Sequence, residues 1–178
     1  MIKLYIVRHA KTDWNEKGII QGTTDIPLNE EGRRQAMALA QQIDLDNIDL
    51  CISSPLKRAR ETANLLVRKQ MSVILDDLLV ERYFDDLEGK TIDFDLIFKM
   101  WSNLDEKFGN SESTRECLNR ASKFLDKIKN HYDGKSILIV SHGGFIKALH
   151  FNIIGYDKDT DFLSFKSENA TIYEYELK

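Results

Sequence analysis

The chain is poor in cysteine, in uninterrupted apolar stretches and in excess positive charge, and each shortage closes off a class of protein. Only Cys51 and Cys117 occur, far apart, with no CxxC and no Cys/His cluster. Neither a disulfide framework nor a zinc site is expected. No apolar run approaches the roughly 18 residues that a membrane helix needs. The first apolar run is cut short by Arg8-His9, so no secretory h-region is read and a cytoplasmic location is expected. Lys and Arg number 25 against 29 Asp and Glu, a net charge of −4. Tracking a nucleic-acid backbone needs a basic surface, so nucleic acid is not an expected partner. A small phosphorylated molecule stays open, because a few local arginines suffice for it. Repeats, low-complexity tracts and linkers are missing too. What is present is 178 residues, 42% hydrophobic and 30% charged. That suits a single domain over 1–178 with an ordinary core.

Apolar runs and breakers divide the chain. Leu4–Val7 reads as a first strand that stops at Arg8-His9. Residues 8–28 read as a long polar loop, and loops of that length are more often functional than idle. Asn29 is a candidate N-cap for a helix over 30–43. Ile48–Ser53 reads as a second strand, and Ser54-Pro55 as a helix start with proline at its first position. Val73–Leu75 is a short third strand that Leu78–Val80 extends or follows. An acidic loop covers 81–91, and Ile92–Phe108 reads as a helix without good caps. Ser111 or Ser113 caps the next helix, which runs to about His131 and stops at Asp133-Gly134. Ser136–Val140 is short and wholly apolar, as a central strand covered on both faces should be. A helix over 145–154 and a strand over Thr171–Tyr175 close the chain. Strands alternating with helices imply a three-layer α/β/α fold with a mainly parallel central sheet.

In a parallel sheet the strand ends share one edge, where open α/β sheets place their ligands. Arg8 and His9 end the first strand, and Arg58 follows the second. Glu81 follows the third, and His142-Gly143-Gly144 ends the central one. Two arginines offer planar forks to phosphate oxygens. A neutral imidazole can attack phosphorus and form a phosphoenzyme. A second one can bind oxygens on which charge develops. A carboxylic acid can protonate the leaving oxygen and then activate water, and Glu81 can do both. Amides after Gly143-Gly144 would add anion donors at a helix N-terminus.

These residues sit in strings that resemble the histidine phosphatase superfamily, also called the phosphoglycerate mutase-like family. Tyr5-Ile6-Val7-Arg8-His9-Ala10-Lys11-Thr12-Asp13-Trp14-Asn15 is similar to its opening. Gln21-Gly22, Asp25-Ile26-Pro27-Leu28 and Gly32 with Gln35-Ala36 resemble the next block. Ser53-Ser54-Pro55-Leu56-Lys57-Arg58-Ala59 with Glu61-Thr62-Ala63 resembles the second arginine block. Glu81, with Phe84, Glu88 and Gly89 after it, resembles the acid block; Glu112-Ser113 before Arg120 resembles another. Val140-Ser141-His142-Gly143-Gly144 is similar to the second histidine block. The resemblance implies that His9 is the phosphorylated nucleophile and that Arg8, Arg58 and His142 complete a phosphate pocket. It implies that Glu81 donates and accepts the proton, and that Thr12, Asn15, Gln21 and Gly22 lie along the phosphate or substrate side. It implies no metal and no cofactor.

The chain departs from the family pattern in three places. Ala10 stands where glycine is usual, and Asp85 and Leu87 stand where glycine and tryptophan are usual. Asp86 adds further negative charge, which should repel an anionic substrate. The segment from 81 to 135 is short for the family, which favours hydrolysis by water over return of phosphate to a bound product. The expected activity is therefore a metal-independent phosphomonoesterase acting on a small phosphorylated metabolite, with a lid segment expected around 84–113. A phosphoglycerate-type mutase and a phosphate-binding module weakened by Ala10 are the alternatives. A metal-dependent phosphatase fits less well, because no paired ligands stand at metal spacing. Oligomeric state is not legible.

Overall fold

The computed structural model describes residues 1–178. Its strands are β1 (Ile2–Arg8), β2 (Leu50–Ser53), β3 (Val73–Leu75), β4 (Ser136–Ser141) and β5 (Ile172–Leu177). Its helices are α1 (Asp13–Glu16), α2 (Glu30–Ala40), α3 (Lys57–Val67), α4 (Phe94–Ser102), α5 (Thr114–His131) and α6 (Gly143–Ile154). The strands form one five-stranded sheet of order β3-β2-β4-β1-β5. β4 lies parallel to both β1 and β2, and β2 lies parallel to β3. Only β5 runs antiparallel, along β1. The most apolar run therefore takes the centre, where both faces are covered.

Side-chain alternation sorts the core into two layers. Leu4, Ile6, Ile52, Ile137 and Ile139 meet α5 and α6 through Leu118, Phe124, Ile128, Phe145 and Leu149. Val7, Cys51, Leu138 and Val140 meet α2 and α3 through Leu39, Ala59, Ala63 and Leu66. The helices thus stack on both faces of a mostly parallel sheet, the three-layer α/β/α arrangement expected from the alternation of elements. No helix is long and apolar enough to cross a membrane.

Several boundaries differ from expectation, each for a local reason. The loop after β1 contains α1, closed by a capping box between Thr12 and Asn15. α2 ends at Ala40, three residues early, and the chain turns through a 3₁₀ segment at Leu45–Asn47. α3 begins at Lys57, so Pro55 is not its first residue. Ser54 Oγ instead accepts from Leu56 N–H at 3.3 Å in a tight turn, and Asp25 caps the helix from a distant loop by accepting from Lys57 N–H at 2.7 Å. Leu78–Val80 does not extend β3, because Asp76 accepts from Leu78 N–H at 3.0 Å and winds Asp77–Leu79 into a 3₁₀ turn. α4 is shorter than expected and well capped, with Asp93 accepting from Asp95 and Leu96 N–H. For α5 the cap is Ser113, reciprocated by Glu116.

Candidate active site

β1, β2 and β4 all end on the same edge, and the side chains beyond them converge. Arg8, His9, Asn15, Gln21, Gly22, Arg58, Glu81 and Gly143 line one cavity of about 280 Å³. His142 lies just behind it, fully buried, its ring centroid 5.1 Å from that of His9. Thr12 is also fully buried and does not line the cavity. Its hydroxyl accepts from Asn15 N–H at 3.1 Å and lies 3.0 Å from Gln21 Oε1, so it holds two lining residues in place.

His9 Nδ1 lies 2.7 Å from Ala10 O. A carbonyl can only accept, so Nδ1 carries the proton and Nε2 keeps its lone pair. Burial holds the His9 pKa well below 6.5, and the adjacent Arg58 and Arg8 lower it further. His142 is held down in the same way, by burial first and then by Arg58. Its Nε2 lies 2.8 Å from Ser54 Oγ.

The arginines are pinned by main-chain oxygens. Arg58 donates to Gly22 O at 2.6 Å and to Thr24 O at 2.8 Å, and Arg8 donates to Ser167 O at 2.7 Å. Burial draws the Arg58 pKa down to about 10 and also lowers that of Arg8. Each keeps its Nε unpaired and buried, as His142 keeps its Nδ1. These are three of the four buried side-chain polar atoms without a partner in the chain. Buried polar atoms are normally bonded, so their concentration around His9 marks a site made for an external ligand.

Glu81 is the one carboxylate among the lining residues. Its Oε1 accepts from Arg82 N–H at 2.7 Å and Phe145 N–H at 3.0 Å, and its Oε2 accepts from Gly144 N–H at 3.0 Å. The helix N-terminus that the sequence offered to a ligand is thus shared with this side chain. The glycine pair follows from close approach. A Cβ on Gly144 would stand 2.7 Å from Glu81 Oε1, and one on Gly143 would stand 3.2 Å from the Arg8 guanidinium carbon. Asp76, Asp85 and Glu88 are committed elsewhere. Asp76 pairs with Lys127 at 2.6 Å, and Asp85 accepts from Tyr83 OH and Asn110 N–H, both at 2.8 Å. Glu88 accepts from the Thr23 and Thr24 amides at 2.9 Å and clasps the loop behind Gly22.

Three groups of residues at or near the site were not named there from the sequence, although several fall in the lid segment expected around 84–113. Ser167 and Asn169 reach the site from the segment before β5, and Asn169 donates to His9 O at 2.7 Å. Arg120 stands beneath Glu81, donating to Leu78 O and Val80 O at 2.8 Å while its fork grips Glu112 at 2.7 and 2.9 Å. Its place in the Glu112–Arg120 string was the available signal. Lys147, Gly144 and Ile19, Ile20, Phe84, Ile92, Phe94, Ile97 and Trp101 complete the wall. Phe94 and Phe98 are both exposed, Phe94 by 81%. Ala10 is buried against Leu28 and Ala36, away from the cavity, and its N–H donates to Thr62 at 3.0 Å. No three His, Cys, Asp or Glu side chains are grouped as a metal cage would require.

Known proteins resemble this chain over most of its length. The profile of the histidine phosphatase superfamily (branch 1) matches residues 4–178. Phosphoserine phosphatase 1 of Hydrogenobacter thermophilus is 32% identical over 96% of this chain and 84% of its own length. A metal-independent phosphoserine phosphatase of Arabidopsis thaliana is 30% identical over 85% of this chain and 68% of its own. The crystal structure of a phosphoserine phosphatase mutant from Entamoeba histolytica, in complex with phosphoserine, has a TM-score of 0.88 and 30% identity, covering 100% of this chain and 92% of that one.

Proposed function

This chain belongs to the histidine phosphatase superfamily and is a phosphatase, and we propose that it hydrolyses small phosphate monoesters through a phosphohistidine formed on His9 Nε2. The observation that carries the residue assignment is the trio of unpaired polar atoms, Arg8 Nε, Arg58 Nε and His142 Nδ1, gathered around that nucleophile.

A phosphomonoester enters with its phosphoryl oxygens toward the two guanidinium groups, which neutralise charge and fix the phosphorus in front of Nε2. The lone pair of Nε2 attacks, and the bond from phosphorus to the ester oxygen breaks. His142 faces the oxygens on which charge grows. The leaving oxygen needs a proton. A carboxyl group has about four lone-pair positions, and three on Glu81 meet amides. Oε1 is fully used by two of them, so Oε2 is the atom that carries the proton and passes it on. The same oxygen then takes a proton from water, which attacks the phosphohistidine and releases inorganic phosphate. The segment around 84–113 acts as a lid, contributing Phe84, Ile92, Phe94, Ile97 and Trp101 to the wall. Phosphoserine, the substrate named in several relatives, is of a size that suits the cavity. A cytoplasmic setting fits this reading, as do two buried, unpaired cysteines.

The test is incubation with O-phosphoserine and a chelator. Hydrolysis should proceed, and a rapid quench should trap an acid-labile, base-stable phosphoprotein that His9→Ala does not form. Turnover without that species, or full inhibition by the chelator, overturns the proposal; dependence on a bisphosphate primer would replace it with a mutase.

A further inference from the structure

The cavity holds one cation that the phosphate chemistry leaves unused. Lys147 lies on α6, a turn beyond Gly143 and Gly144, and lines the same cavity. The residue is only 8% exposed, yet its ammonium forms no hydrogen bond or ion pair within the protein. Nζ stands 4.7 Å from the centroid of the Trp101 ring, on the lid side. Burial draws its pKa down to about 8, Lys166 and Arg82 push the same way, and Asp161 and Glu81 oppose them.

A cation in an apolar wall is costly unless paired. The Trp101 face gives the ammonium a cation–π contact but no counter-anion, whereas a structural lysine would meet a carboxylate of its own. Here Arg8 and Arg58 already face the phosphoryl position, and Glu81 is tied to three amides. That leaves Lys147 for a second anionic group on the same ligand. From Gly143 to Lys147 is four residues of helix, about 6 Å, which is the scale of a three-carbon phosphomonoester. A cavity of about 280 Å³ accommodates a ligand of that size.

We propose that Lys147 is a specificity residue that binds a carboxylate on the leaving group, so that the site selects small phosphomonoesters carrying a carboxylate a few bonds from the ester oxygen. The inference rests on the phosphatase reading above for the position of the phosphoryl group. Its test is independent of turnover. Two phosphonates that cannot be hydrolysed are titrated calorimetrically into the wild-type protein. They are 2-amino-4-phosphonobutyrate and 3-aminopropylphosphonate, which differ only in the carboxylate.

The wild type should bind the carboxylated ligand about ten- to a hundredfold more tightly, the range of a charge-assisted bond. Lys147→Met keeps a flexible stem against Trp101 and should bring that ratio close to one. Lys147→Arg should keep most of it and guards against a folding defect in the methionine variant. Equal wild-type affinities, or a ratio that survives in Lys147→Met, overturns the proposal. Hydrolysis of p-nitrophenyl phosphate by the wild type separates the two readings. Turnover without a carboxylate preference sinks the role of Lys147 alone, and a preference without turnover sinks the phosphatase mechanism alone.

Discussion

The two walls of the cavity are built on different principles. On the strand-edge wall, His9, Arg58 and His142 are buried, and their heads meet fixed partners: Ala10 O, Gly22 O, Thr24 O and Ser54. On the lid wall, Phe94 and Phe98 are exposed, and the segment is stitched to the body by a short run of main-chain bonds, including Gly89 N–H to Ile20 O at 2.9 Å and Ile92 N–H to Gly18 O at 2.7 Å. The first wall is rigid, charged and over-determined. The second is apolar: Met100 and Trp101 anchor it in the core, while Phe94 and Phe98 stand free at its outer face. On the proposed reading, reaction type belongs to the densely bonded wall, while the exposed lid side chains can change at little structural cost and adjust the choice of substrate alongside Lys147.

The largest effects should come from breaking the rigid wall at its reacting atoms. His9→Ala should cut kcat/KM for any phosphomonoester by about 10⁴-fold or more, the scale seen when a covalent nucleophile is removed. Glu81→Gln should lower kcat for O-phosphoserine by about 10²- to 10⁴-fold. It should cost far less with p-nitrophenyl phosphate, whose leaving oxygen needs no proton. Equal losses on the two substrates would remove Glu81 from the acid role.

The same contrast explains how much was legible in the sequence. Each strand-edge residue follows an apolar run and lies within a distinctive local string, so the order of residues alone is enough to place Arg8-His9, Arg58 and His142-Gly143-Gly144. The sheet itself followed from run lengths, because β4 is apolar on both faces. Lys147 was hidden because a single lysine in an otherwise apolar helix looks like any solvated tip. Ser167 and Asn169 lie in a patternless segment that reaches His9 only through the antiparallel pairing of β5 with β1. The start of α3 was misplaced because its cap, Asp25, comes from 32 residues away. Signals that depend on tertiary approach leave no periodicity to read.

Beneath the rigid wall, Arg120 tests whether support matters as much as contact. Its side chain and that of Glu112 are only 17% and 15% exposed, and removing one member of such a pair leaves a charge uncompensated. Arg120→Met should cost about 3–5 kcal/mol of stability, read from urea midpoints. It should also lower kcat, because the carbonyls of Leu78 and Val80 just before Glu81 lose their shared anchor. A stable variant with full kcat would show that Glu81 is held by its own three amides. Ala10→Gly should do much less. The Ala10 methyl packs on Leu28 and Ala36 rather than on the phosphate position, so activity should stay within about threefold while stability falls by about 1 kcal/mol. An increase above tenfold would mean that the methyl does restrict the site.

The smallest structural effect, and the sharpest test of the contrast, belongs to the lid. Phe94 is 81% exposed yet lines the cavity mouth. Phe94→Ser should change stability by no more than about 0.5 kcal/mol, as surface substitutions usually do. Its kinetic effect should depend on the substrate. KM for an aryl phosphate should rise severalfold as apolar contact is lost, with kcat nearly unchanged, because binding is weakened equally in the ground and transition states. KM for O-phosphoserine, whose leaving group is polar, should barely move. If Phe94→Ser instead lowers kcat for both substrates as Glu81→Gln does, the lid takes part in the chemistry, and the division between a reacting wall and a selecting wall fails.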